Sequence, residues 1–234
     1  MAVVNTNISA SIAQAALAKN ERALESAMEQ LSTGKKINSA ADNAAGLAIT
    51  TRMTSQIRGL DQSIRNAYDA VSMIQTAEGA MDEMTAMLQR MRELAIQAGT
   101  GTTDSSDRQY LNNEFKALRE ELDRVAKNTE WNGRAILNGA AGGSGSLSTV
   151  AFQVGMDPKQ TISTAFGDFT LSTGSMSALT SATLSTVTIA SAVAQTSKAV
   201  VSLDLAMTAV SNQRASFGAI QNRLIHAVDN LTNV

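Results

Sequence analysis

The sequence predicts a mainly α chain, an elongated antiparallel helical bundle or coiled coil with a small β-hairpin region inserted before the last long helix. Three observations carry this. The 234 residues include a single proline, Pro158, so nothing interrupts long helices. Alanine occurs 38 times and aromatic residues make up only 3%, so area must be buried through many thin contacts and not in one thick centre. Apolar residues also recur at alternating spacings of three and four through most of the chain.

The elements follow in order. In residues 5–33, Ala13, Leu17, Asn20, Leu24, Ala27 and Leu31 mark one helix face, and Gly34 stands where the helix should stop. A second helix is predicted from about Asn43 to Ala98. Its seam runs Ile57, Leu60, Ile64, Ala67, Val71, Ile74, Glu78 and Met81. The phase then slips near Gly79 and resumes as Met84, Leu88, Met91 and Ala95. About 55 residues at roughly 1.5 Å each would make a rod of about 80 Å. A third helix starts after Gly99-Thr-Gly-Thr-Thr, with Ser106 and Gln109 in capping-box positions and a seam of Leu111, Phe115, Leu118, Leu122 and Val125.

Asn132-Gly133 and Asn138-Gly139 supply turns. Between residues 139 and 195 only Asp157, Lys159 and Asp168 are charged. That stretch opens with the linker-like Gly139-Ala-Ala-Gly-Gly-Ser-Gly-Ser. The alternating runs Thr149-Val-Ala-Phe-Gln-Val and Gln160-Thr-Ile-Ser-Thr-Ala-Phe, separated by Gly155-Met-Asp-Pro-Lys, predict a β-hairpin. The last helix is expected from Thr196 or Ser197. Its seam is Val200, Leu203, Met207, Val210, Arg214, Phe217, Gln221, Leu224, Val228 and Leu231, and it stops mid-pattern at Val234, which suggests a shortened chain.

Composition removes whole classes of function. There is no cysteine and one histidine, His226, which excludes thiolate sites and multi-histidine metal sites. No HExxH sequence or paired-carboxylate pocket is visible, so no enzyme activity, metal or cofactor is expected. A net charge of −2 offers no footprint for nucleic acid. No apolar run reaches the ~20 residues that cross a bilayer, and the N-terminus lacks the basic start of a secretory signal. The second, third and last helices can close one core, which leaves the first without a partner. Either a helix beyond Val234 or neighbouring copies of the chain would supply one, and both point to assembly.

Residues 31–49, Leu-Ser-Thr-Gly-Lys-Lys-Ile-Asn-Ser-Ala-Ala-Asp-Asn-Ala-Ala-Gly-Leu-Ala-Ile, resemble the N-terminal signature of bacterial flagellin. The likeness continues through Gln56-Ile-Arg-Gly-Leu-Asp-Gln-Ser-Ile-Arg-Asn-Ala, Gln75-Thr-Ala-Glu-Gly-Ala-Met, Gln89-Arg-Met-Arg-Glu-Leu-Ala-Ile-Gln-Ala, Phe152-Gln-Val-Gly and Gly218-Ala-Ile-Gln-Asn-Arg-Leu. The resemblance implies a structural subunit of the extracellular flagellar filament, exported by the flagellar export apparatus without a cleavable signal peptide. It self-associates through coiled-coil helices for swimming motility. It also implies four divisions. Residues 1–42 would be a core helix and spoke, disordered without a C-terminal partner, and 43–138 the first part of the bundle. Residues 139–195 would be a variable linker with the hairpin and short strands, and 196–234 a truncated bundle helix. The family's C-terminal core helix, and the segment its export chaperone binds, are not found in this sequence. The chain is therefore expected not to form stable filaments unaided.

Two groups of residues are singled out. Leu17, Leu24 and Leu31 form the assembly seam. Gln89, Arg90, Leu94 and Glu114 match, by resemblance, the positions gripped by the vertebrate Toll-like receptor that senses flagellin. An Arg fork beside an exposed Leu suits an interface anchor; the alternative is that Leu94 packs in the bundle and Arg90 is a solvated charge. Glu78, Arg214 and Gln221 interrupt seams, either as buried register-setting partners or at a wet edge. Met81, Met84, Met87 and Met91 read as packing, His226 as an exposed helical residue, and Asn38-Ser-Ala-Ala-Asp as a capped turn. The Ser/Thr stretch 170–191 could carry glycans. A competing function, a surface adhesin or polysaccharide binder, would rest on Phe152, Phe166 and Phe169.

Overall fold

The computed structural model describes residues 7–139, 141, 149–171, 174–177, 179 and 189–233, with the side chains of 189–195 left aside. The chain divides into two units, residues 1–58 and 59–234. Among the described residues there are four helices, α1 (Ile8–Thr33), α2 (Ala44–Ala98), α3 (Ser105–Asn128) and α4 (Ile189–Asn233). Two antiparallel strand pairs lie between α3 and α4: β1 (Glu130–Trp131) with β2 (Arg134–Ala135), and β3 (Thr149–Gln153) with β4 (Thr161–Ala165). Most of the predicted linker, residues 139–146, and most of the Ser/Thr stretch lie outside the described residues.

In the first unit, Asn7 caps α1 by accepting from the Ala10 amide at 3.2 Å, and Gly34 closes it in the left-handed conformation at φ 67°. The turn that follows is built as expected. The amides of Asn38 and Ser39 both donate to Asp42 Oδ2, at 3.1 and 3.0 Å, and Thr33 Oγ1 donates to Asn38 Oδ1 at 2.8 Å. Asn43 Oδ1 then accepts from the Gly46 amide at 2.8 Å and starts α2.

The second unit is a three-helix core capped by strands. Cross-links fix its sense: Arg92 of α2 meets Asp204 of α4 at 2.9 Å, and Asp82, earlier on α2, meets Arg214, later on α4, at 3.1 Å, so the two run antiparallel. The fully buried stripe of α2 is Ser63, Ala67, Ala70, Ile74, Ala77, Met81, Met84, Leu88, Met91, Ala95 and Ala98. Its spacing alternates four and three without a break. The expected phase slip near Gly79 is absent, because the stripe passes through Ala70 and Ala77 and leaves Val71 and Glu78 on its flank. Small side chains let the neighbouring helices approach there, and the bulkier residues beside them cover the shoulder. On α4, likewise, Ala199, Ala206 and Ile220 are buried where Val200, Met207 and Gln221 were expected, while Leu203, Val210, Phe217 and Leu224 are buried as predicted.

Two further expectations are corrected. Asp104, not Ser106, precedes α3, and its own side chain makes no capping bond; Ser106 hydrogen-bonds Asp104 at 3.4 Å. Helix α4 begins at Ile189, seven residues ahead of the expected Thr196, since 189–195 contain three alanines and no glycine or proline to break it.

Asn132 and Gly133, at φ 51° and 73°, form the two-residue turn of the first hairpin, the positive-φ pair that such turns require. The second hairpin pairs Phe152 with Ile162, and its turn is held by Gln153, whose Nε2 donates to the carbonyls of Gly155 and Asp157 at 2.7 and 2.6 Å. Helices anchor both of its strands. Asn66 Nδ2 of α2 donates to the Gln153 carbonyl at 3.2 Å, and Gln213 Nε2 of α4 donates to the Ala165 carbonyl at 2.7 Å. Phe166, next in the chain, packs against Phe217 of α4 with ring centroids 5.2 Å apart.

Candidate functional site

Helix α1 carries the first candidate surface. None of its residues is buried, and Leu17, Leu24 and Leu31 are 63%, 64% and 86% exposed. The seven-residue repeat places the three on one side of a 26-residue helix. Such a stripe in water, on a helix with no packed face, is stable only when a partner covers it. Ile57, expected to extend the α2 seam, is also exposed.

The second surface lies on α2 and α3 in the other unit. Gln89, Arg90 and Glu114 are exposed. The Arg90 guanidinium is shared between Glu114 of α3, at 2.8 Å, and Glu93 of its own helix, at 3.0 Å. These bonds, the one to Glu114 foremost, raise the Arg90 pKa above its ordinary value. Leu94 is not exposed: at 1% it belongs to the core, one of the inward residues of α2. The expectation of an apolar pin beside Arg90 is therefore corrected. A helix face that buries Met91 and Ala95 also carries Leu94 inward, since these neighbours lie within one turn of it.

The residues that interrupt the predicted seams meet one another. Gln221 Nε2 donates to Glu78 at 3.4 Å, and Arg214 lies 4.0 Å from Glu78 and 3.1 Å from Asp82. All are partly exposed, so they form a wet edge between α2 and α4. Met81, Met84 and Met91 are buried as packing and Met87 is half-buried. His226 is exposed, and among the described residues no group of three or more His, Asp or Glu side chains is placed to hold a metal ion. No described helix is long and apolar enough to cross a membrane.

Sequence reasoning missed Arg108. It is 2% exposed, with Nε donating to the Ala98 carbonyl at 3.0 Å and a second nitrogen donating to Thr100 at 3.2 Å, so it closes the end of α2. The only sequence signal was its position ten residues beyond the predicted helix end.

Residues 4–141 match the bacterial flagellin N-terminal helical region, and residues 200–234 match the bacterial flagellin C-terminal helical region. Flagellin A of Vibrio cholerae serotype O1 is 50% identical over 159 residues, covering 68% of this chain but 40% of the relative, so the chain spans about two fifths of that protein's length. A flagellin of Halalkalibacterium halodurans is 40% identical over 231 residues, covering 99% of this chain and 80% of the relative. The crystal structure of Bacillus cereus flagellin superposes with a TM-score of 0.58 at 28% identity, covering 71% of this chain and 88% of that one. A putative flagellar hook-associated protein from Vibrio parahaemolyticus, 14% identical, shares the fold at a TM-score of 0.67, covering 83% of this chain and 95% of that one. With both terminal helical regions matched and one relative aligned over 99% of this chain, the chain belongs to the bacterial flagellin family.

Proposed function

We propose that this protein is a structural subunit of the bacterial flagellar filament, self-associating through α1 outside the cell after passage through the flagellar export apparatus. The observation that carries the proposal is the uncovered Leu17, Leu24 and Leu31 stripe on a helix with no buried residue. Each such side chain is worth about 1.5–3 kcal/mol when fully covered, so three of them supply a strong drive to associate. Residues 1–42 then act as the assembly arm, and their amides exchange rapidly while no partner is bound. Sedimentation velocity over a range of concentrations tests this. The chain should self-associate, and the triple change Leu17→Asp, Leu24→Asp and Leu31→Asp should leave a folded monomer. Equal association by both would refute the proposal.

The face of Gln89, Arg90 and Glu114 we assign as the contact for the vertebrate Toll-like receptor that senses flagellin, with Leu94 supporting it from beneath. A polysaccharide-binding role is not favoured, because Phe166 and Phe169, which would stack on sugars, are buried.

A further inference from the structure

We infer that a groove between the Gly34 turn and the start of α2 seats the acidic row of α1 from a second copy of this chain. The inference rests on the reading of the chain as a self-associating subunit, and it adds a contact separate from the leucine stripe. The groove measures about 650 Å³ and lies wholly within residues 35–58. Its cations are Lys35, Lys36 and Arg58, and Ile37 and Leu47 give it an apolar floor. Among the described residues none of the three cations forms an ion pair. Asp42, the single carboxylate between residues 30 and 60, is already occupied by the amides of Asn38 and Ser39. The hydroxyls of Thr50 and Thr54 donate to carbonyls of their own helix, at 3.0 and 2.8 Å. The charged donors left to the groove are therefore the lysines and the arginine, and their complement is an anion.

Helix α1 presents that anion in a matching form. Glu21, Glu25 and Glu29 stand four residues apart, a row about 12 Å long. Met28 lies beside them, three positions beyond Glu25 and 63% exposed. None of the three glutamates has an ion pair among the described residues. Arg22, placed where it could neutralise Glu25, donates its Nε to the Ala18 carbonyl at 3.1 Å instead. At about 100° per residue the row starts beside Leu17 and winds away from the leucine stripe by Glu29. A partner on the acidic row therefore leaves the stripe open. Three carboxylates with a methionine on the side of the row nearer Leu24 fit three cations around an apolar floor, and like charge keeps the same row of another copy from covering it.

The absence of cysteine makes the test direct. Chains carrying Met28→Cys are mixed with chains carrying Ser55→Cys, a groove-lining position, and oxidised mildly. From equal amounts of the two chains, mixed disulfide dimers should outnumber the two same-chain dimers together by about fivefold, where chance pairing gives equal numbers. The excess should vanish in ~0.5 M salt and when the Ser55→Cys chain also carries Lys35→Glu, Lys36→Glu and Arg58→Glu. Adding Glu21→Lys, Glu25→Lys and Glu29→Lys to the Met28→Cys chain should then restore it. A statistical yield at every salt concentration overturns the inference. If association still depends on Leu17, Leu24 and Leu31 in that case, the filament reading survives; if it does not, both fall.

Discussion

Arg108 of α3 places Nε 3.0 Å from the carbonyl oxygen of Ala98, the last residue of α2, and among the described residues no carboxylate forms an ion pair with the buried guanidinium. The helix end itself supplies the counter-charge, since its unpaired carbonyls carry the negative pole of the helix dipole. Arg108→Ala leaves the buried Ala98 carbonyl without this donor, while the Thr100 carbonyl keeps the Thr103 amide, and is expected to cost about 1–3 kcal/mol. Arg108→Lys should recover little, because one ammonium lacks the planar fork that spans Ala98 and Thr100. Urea unfolding of the three proteins measures this.

The alanine stripe of α2 yields a paired prediction. Ala77→Leu puts three extra carbons where helices meet and should cost about 1–3 kcal/mol. Val71→Leu, on the half-buried flank, should change stability by about 0.5 kcal/mol or less. Equal effects would mean that the seam runs through Val71 after all. Thermal unfolding followed by circular dichroism separates the two outcomes.

Arg90 and Leu94 should part company. Arg90→Ala removes exposed ion pairs and should leave the unfolding midpoint unchanged, while receptor activation falls on the order of tenfold or more. Leu94→Ala opens a core cavity and should destabilise the bundle by about 2–5 kcal/mol. Dose–response in receptor-expressing cells, set beside unfolding curves, reads both effects. Undiminished activation by the Arg90 variant would remove the receptor assignment.

Asp42 sets a pH dependence. The Ser39 amide first, and the Asn38 amide second, hold its carboxyl below the usual aspartate range. A depressed folded pKa means that the turn is fully stabilised above the ordinary aspartate pKa and loses that support as pH falls through the folded value. The Asn38 and Ser39 amide resonances should therefore stay fixed from neutral pH down to that range and shift below it. In Asp42→Asn they should show no such acid transition. NMR titration follows both.

What was legible in the sequence was what local chemistry dictates. Gly34 and Asn43 bound helices because one reaches positive φ and the other caps an amide, and Asn132-Gly133 turns for the same conformational reason. Apolar periodicity located Leu203, Val210 and Phe217. The failures arose where packing chose among neighbours. Hydrophobicity favours Val71 over Ala70, yet the fully buried position goes to the smaller side chain and Val71 sits on its flank. Leu94 looked like a surface pin because its motif was read along the chain and not around the helix. Arg108 was unreadable because its role depends on where α3 returns past the end of α2.

The hairpin of β3 and β4 bears on how such a chain avoids the wrong polymer. The Val154 amide bonds the Gln160 carbonyl, so by antiparallel alternation the Gln153 and Ala165 carbonyls face out from the two free edges. Bare edges of this kind invite strand addition, the first step toward amyloid. Asn66 and Gln213 occupy one outward carbonyl on each edge with side-chain amides from the bundle. The helices of the bundle thus partly plug the strand edges of the hairpin. Loosening the bundle would expose a second, irreversible route of self-association.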